Sequence, residues 1–263
     1  MHFTSEATSD GVLERLFTVD DIPGVLWSPA GAIGARPLLL VGHGGGRHKT
    51  APGMALRAHR YVTALGFAVA AIDAPGHGDR PKTEQDDQRV AGIRERVAAG
   101  EPLGPHIAHY NAELSVRAVP EWRIVLDALQ ELDCVGPDGP IGYVGVSMGG
   151  GIGVRFVAAE PRITAAVLGL VGLAGPTDLA EVAARITVPV EFLMQWDDEM
   201  VPRDSSLGLF DAFGSTEKTL HANPGGHGEM PVFERDSSER FFTRHLLGGA
   251  APATADDPAV AGG

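Results

Sequence analysis

The sequence predicts an α/β protein: a mostly parallel, doubly wound sheet with an antiparallel N-terminal edge and a small helical cap. Continuous apolar runs at Pro37–Val41, Phe67–Ile72, Ile141–Val146 and Ala165–Leu170 have the length and all-round hydrophobicity of strands covered on both faces. Stretches of helical period separate these runs, and that alternation builds a parallel sheet. The segment from Asp79 to Pro120 breaks the rhythm, being long, charged and interrupted by Gly100, Pro102, Gly104 and Pro105. Such a connection inside a compact domain is usually functional, and a cap over the strand ends is the expected form.

Taken in order, Leu13–Val19 and Gly24–Ser28 read as two strands joined by the turn Asp20, Asp21, Ile22, Pro23, giving the antiparallel edge. Pro37–Val41 is the first buried strand, Met54–Leu65 a helix by period, and Phe67–Ile72 the next strand. Gln85–Ala99 and His106–Val119 are the two cap helices expected within 79–120. Trp122–Leu132 is an amphipathic crossover helix leading to the strand Ile141–Val146, followed by the helix Ile152–Ala159 and the strand Ala165–Leu170. Leu179–Arg185 is a short helix, Pro189–Trp196 an apolar run, and Glu217–His221 a short strand. Ser205–Phe213 and Phe233–Leu247 are the last two helices. One domain over 1–247 is expected, with a disordered tail, 248–263, of Ala, Gly and Pro that has little to bury.

Chemistry enters at Gly145, Val146, Ser147, Met148, Gly149, a G-x-S-x-G at the end of an apolar run and the start of a helical stretch. In a chain with 35 glycines the pattern alone decides little. Its context, strand then sharp turn then helix, is what exposes a serine hydroxyl above a helix N-terminus. A serine is a poor nucleophile at neutral pH and needs a base and a group to orient that base. Asp197, Asp198 and Glu199 follow the run Pro189–Trp196, and His227 lies in the loop Asn223–Gly228 after the strand Glu217–His221. Serine, acid and histidine thus fall at the carboxyl ends of predicted parallel strands, the edge of an open α/β sheet where ligands bind.

These motifs, with HGGG at His43–Gly46 and D-x-P-G-H-G at Asp73–Gly78, resemble the α/β-hydrolase superfamily, and within it the dienelactone-hydrolase-like serine esterases. The resemblance covers about Arg36 to Leu247. It implies a Ser147, Asp198, His227 triad, the acid falling on Asp198 because it precedes a hydrophobic-Pro pair as D-x-x-V-P. Asp197 is the competing residue, since neighbours on an extended segment face opposite ways, and Glu199 comes third. The oxyanion hole is expected from backbone N–H groups of Met148 and Gly45, with Gly46 next in line. Members close to dienelactone hydrolase itself carry a cysteine nucleophile; Ser147 here points to ordinary ester chemistry.

His43 is expected to brace the oxyanion loop and His77 to shape the rim, while His48, His106, His109 and His221 read as ordinary polar groups. No H-E-x-x-H, paired Cys-x-x-Cys or calcium-loop pattern occurs, so neither metal nor cofactor is expected. Arg47, His48, Lys49 and Arg80 lie near the expected mouth, where a solvated rim is favoured over an anion site. Trp196 and Met148 are expected to supply apolar wall.

A formal charge of −13 disfavours nucleic acid or an anionic membrane surface as partner, and the lone Cys134 excludes an internal disulfide. Met1–Gly11 lacks a basic start and apolar stretch, and no window nears a membrane span, so a cytoplasmic location is expected. The expected function is hydrolysis of small or medium acyl esters through an acyl-enzyme on Ser147, with a small-molecule ester as the partner. A thioesterase or acyltransferase would use the same apparatus, and a non-catalytic ligand-binding member of the fold is the reading from another class. Oligomeric state is not legible.

Overall fold

The structure, a computed structural model, describes residues 1–101, 103–175 and 178–248; the tail expected to be disordered lies, beyond Gly248, outside them. Strands β1 (His2–Ser9), β2 (Val12–Val19) and β3 (Ile22–Pro29) form an antiparallel meander. Six more follow: β4 (Leu38–Gly42), β5 (Ala68–Ile72), β6 (Ile141–Val146), β7 (Ile163–Gly169), β8 (Val190–Gln195) and β9 (Lys218–Asn223). All belong to one nine-stranded sheet in the order β1-β2-β3-β5-β4-β6-β7-β8-β9, parallel from β5 to β9.

β1 is an addition to the sequence reading, which leaves Met1–Gly11 without a strand. Its signal is the Asp10-Gly11 pair, whose φ values of 50° and 77° supply the two left-handed residues that a tight hairpin turn requires.

Alternate residues of the central strands feed two cores. Leu39, Val41, Val69, Ala71, Val144 and Val167 pack beneath α1 (Pro52–Leu65) and α7 (Glu234–Leu246). Leu38, Leu40, Ala68, Ala70 and Tyr143 face the other helices, namely α3 (Gly104–Gln130), α4 (Met148–Ala159), α5 (Leu179–Ala183) and α6 (Arg203–Ala212). At the centre of that second core Trp122, Tyr143 and Phe156 meet with ring centroids 5.7–6.2 Å apart, contacts each worth about 0.5–1.5 kcal/mol beyond area burial.

The cap segment contains α2 (Glu84–Ala99), but its second half is not a separate helix. α3 continues for 27 residues through Pro120 into the stretch read as the crossover helix. Pro120 removes the N–H that would serve the Val116 carbonyl; Val116 is 75% exposed, so water can take that place and the helix need not end.

The strand order reverses between β4 and β6, with β5 on one side and β7 on the other, and open α/β sheets bind ligands outside the carboxyl ends at such a point. Glycines let the loop leaving β4 and the helix following β6 approach one another. A Cβ on Gly149 would fall 2.5 Å from the Gly42 oxygen, and one on Gly150 2.5 Å from the Gly169 oxygen. Tyr143 Oη, on β6, donates to the Gly149 carbonyl at 2.7 Å and fastens the start of α4 to its own strand. Helix propensity alone would make Gly149→Ala stabilising by about 1 kcal/mol. The backbone contact reverses that sign, and a net loss of about 1–3 kcal/mol is expected by denaturant unfolding; an unchanged or raised midpoint would contradict this packing.

Candidate active site

Ser147 sits between β6 and α4 with φ 57° and ψ −124°. For a residue with a Cβ this is a strained backbone, costing on the order of 1–3 kcal/mol. The surroundings over-determine it: Ser147 N–H donates to Gly169 O at 2.9 Å, and Gly151 N–H donates back to Ser147 O at 2.9 Å. The turn directs the hydroxyl out of the sheet, and the first N–H groups of α4 have no intrahelical acceptor. Ser147 Oγ lies 2.9 Å from His227 Nε2, and His227 Nδ1 lies 2.8 Å from Asp198 Oδ2. Residues 80 and 29 positions apart in sequence thus form one hydrogen-bonded line.

The three consecutive carboxylates after β8 divide the task of holding the histidine loop. Asp198 takes the imidazole, while its Oδ1 accepts the Met200 and Val201 N–H groups at 2.8 and 2.9 Å. Glu199 Oε2 accepts His227 N–H at 2.9 Å, and Asp197 Oδ2 accepts Gly225 N–H at 3.3 Å. The Asp198 side chain is buried, which by itself would raise its pKa. The His227 hydrogen bond and the Val201 and Met200 N–H groups outweigh burial and hold it below the ordinary aspartate value. An ionised Asp198 requires Nδ1 of His227 to carry the proton, which leaves Nε2 as the acceptor for the serine hydroxyl.

Two cavities meet at Ser147 and His227. The larger, about 390 Å³, lies beneath the cap segment, with Val90, Ile93, Ile107 and Tyr110 forming apolar wall. Gly45, Gly46 and Met148 line the same space. The smaller, about 30 Å³, runs between α3 and the loops after β7 and β8, past Leu170, Val171 and Val201. Asn111 borders both, and no motif announced it; nor did Ile107 or Tyr110, because cap residues are recruited by position on a helix face. Trp196, expected as wall, borders neither cavity; its ring lies 3.8 Å below the Arg203 guanidinium.

The basic residues near the mouth are mostly committed elsewhere. Lys49 is buried against Asp73, and Arg80 makes a two-pronged bond to Glu121. His43 is buried too, its Nε2 accepting Ala74 N–H at 3.0 Å, and burial lowers its pKa to about 4, so it is neutral at physiological pH. Among the described residues, Glu191, His221 and Glu234 alone gather with the spacing of metal ligands. Hydrogen bonds from Ser238, from Asn223 and between His221 and Glu234 account for that group as a link between the sheet and α7. No described helix is long and apolar enough to cross a membrane.

Neither a family model nor a curated protein matches the chain. Among solved structures, a PEG-bound cold-adapted esterase from an Arctic intertidal metagenomic library is 32% identical, over 94% of this chain and 100% of that one, with a TM-score of 0.75. The chain belongs to the α/β-hydrolase superfamily. Two more distant structures share the hydrolase fold. An acetyl xylan esterase from Paenibacillus sp. R4 is 16% identical over 93% and 88% of the two chains, TM-score 0.67. Est1E from Butyrivibrio proteoclasticus, with ferulic acid bound, is 17% identical over 88% and 99%, TM-score 0.65.

Because the Asp198 pKa is depressed in this hydrolase, the stability it contributes is complete above the unfolded value near 3.9 and is lost as pH falls through the lower folded value. Asp198→Asn is therefore expected to flatten the fall of the melting temperature between about pH 5 and the acid limit; parallel curves for variant and wild type would contradict the assignment of that charge.

Proposed function

We propose that this chain is a serine carboxylic-ester hydrolase that cleaves esters of small or medium acyl groups through an acyl-enzyme on Ser147. The observation that carries this reading is the line from Ser147 Oγ through His227 to the buried Asp198, opening on a largely apolar cavity. Esterase activity in the 32%-identical relative supports the same bond class.

In this reading His227 Nε2 takes the Ser147 proton as Oγ adds to the ester carbonyl. The oxygen that becomes negative turns toward the N–H groups of Met148 and Gly45. Met148 opens α4, so its N–H is free of the helix ladder and the helix dipole reinforces it. Gly45 is exposed and donates no hydrogen bond among the backbone bonds of the described loops. Collapse of the adduct breaks the bond to the alkoxy oxygen, which leaves with the proton from His227. A water activated by the same nitrogen then adds to the acyl group and returns Ser147, and Asp198 stabilises the imidazolium in both halves.

The paired cavities support a substrate with unequal ends, one short enough for the pocket beside Leu170 and one filling the space beneath α2 and α3. That larger space is at the lower end of the range for small-molecule sites.

Intact mass after brief exposure to a fluorophosphonate tests the nucleophile. One adduct on wild type and none on Ser147→Ala is expected. Ester turnover by Ser147→Ala should fall to the small residue that binding and the oxyanion hole supply, on the order of 10³-fold to 10⁴-fold over water. An adduct on the variant, or turnover near wild type, would sink the assignment.

A further inference from the structure

The loop that would supply the Gly45 N–H has little to hold it in place. Residues 45–48 are exposed, and a Cβ added at Gly44, Gly45 or Gly46 would meet nothing within 4 Å. The backbone bonds within it are local: Arg47 N–H to Gly44 O at 3.2 Å and Ala51 N–H to His48 O at 3.0 Å. An oxyanion donor must nonetheless be held near its final position before charge develops, since that preorganisation is the source of its effect.

Both ends of this loop are tied to two consecutive residues at the exit of β5. At the start, His43 accepts the Ala74 N–H on Nε2, which leaves Nδ1 to donate to Gly44 O at 2.9 Å. At the finish, Asp73 Oδ1 accepts the Lys49 backbone N–H at 2.7 Å, and Oδ2 accepts Lys49 Nζ at 2.7 Å and Asp79 N–H at 2.9 Å. Asp73 is 0% and Lys49 4% exposed. Gly78, with φ 55°, makes room for the carboxylate, since a Cβ there would fall 2.2 Å from it.

A buried ion pair is weak as a source of stability, because apolar residues of matching shape often do as well or better. Its charge-assisted bonds are strong in fixing direction. We propose that Lys49 and Asp73 are positioning residues, forming with Ala74 and His43 a clamp that sets the 44–46 loop at the height where its N–H meets the oxyanion on Ser147. Lys49 thereby acts through the backbone it anchors and does not touch substrate. This inference rests on the ester-hydrolase reading and on Gly45 as donor.

The test compares wild type with Lys49→Met, Asp73→Asn and the double variant Lys49→Met/Asp73→Leu. Wild type is first labelled with a fluorophosphonate; failure to label Ser147 would overturn the hydrolase reading itself, and the clamp with it. Each variant is then measured for melting temperature, for kcat and KM on a short p-nitrophenyl ester, and for affinity for a trifluoromethyl ketone, which forms a reversible tetrahedral adduct. Activity is measured well below each melting point.

Lys49→Met and Asp73→Asn are expected to lower kcat at least about 10-fold, toward the about 100-fold that loss of an oxyanion donor costs, with KM little changed. Affinity for the ketone should fall by a similar factor. The apolar double variant removes the uncompensated charge but leaves the residue 49 and Asp79 N–H groups without an acceptor, so it should regain part of the melting temperature lost by the single variants and none of the kcat. A double variant, or a folded single one, with wild-type kcat and ketone affinity would overturn the clamp. So would activity that simply follows melting temperature across the set, since that marks the pair as structural only.

Discussion

Everything in this site is referred to one strained peptide. Ser147 holds φ 57° only because its neighbours leave no alternative: β6 ends there, α4 begins there, and hydrogen bonds to Gly169 and from Gly151 close on either side. The strain is tolerated because small residues let backbone pack on backbone. Gly149 rests on the Gly42 carbonyl and Gly150 on that of Gly169, so the helix carrying the elbow is seated between the exits of β4 and β7. A side chain at either position would lift the helix and move the hydroxyl relative to the histidine. The same seating puts the loop after β4 beside the serine, so that Gly45, Gly46 and Ser147 line one cavity.

The other participants are held by carboxylates, not by packing. Asp73 binds the far end of the loop after β4, and Asp197, Asp198 and Glu199 bind three points of the histidine loop. Loops exposed at a sheet edge have few apolar contacts with which to fix themselves. Backbone N–H groups donated to carboxylates, buried at Asp73 and exposed at Asp197 and Glu199, offer directional restraint without adding bulk. Carboxylates placed in this way give order to loops at the sheet edge of an acidic protein.

Much of this was legible in the sequence where local chemistry and global topology coincide. The buried parallel strands are readable because they are apolar on both faces, and the elbow because a strand, a G-x-S-x-G and a helix follow without interruption. Asp198 could be preferred over Asp197 only through the family resemblance, since two adjacent aspartates look alike until the loop facing them is placed. Lys49 read as a rim cation; its partner Asp73 lies 24 residues away, and nothing local announces that contact. β1 escaped because an edge strand with an exposed, polar composition lacks an apolar pattern. The continuous α3 escaped because Pro120 carries a helix-ending signal that an exposed position on the preceding turn, Val116, can overrule. Cavity walls such as Asn111 and Tyr110 depend on which face of α3 turns inward, a property of tertiary packing alone.

The most direct measurement is a diffraction structure of the chain with Ser147 phosphonylated. The account predicts Ser147 retaining φ near its strained value of 57°, with the phosphoryl oxygen within hydrogen-bond distance of the Met148 and Gly45 N–H groups. A relaxed serine with negative φ, or a phosphoryl oxygen directed away from both N–H groups, would contradict it.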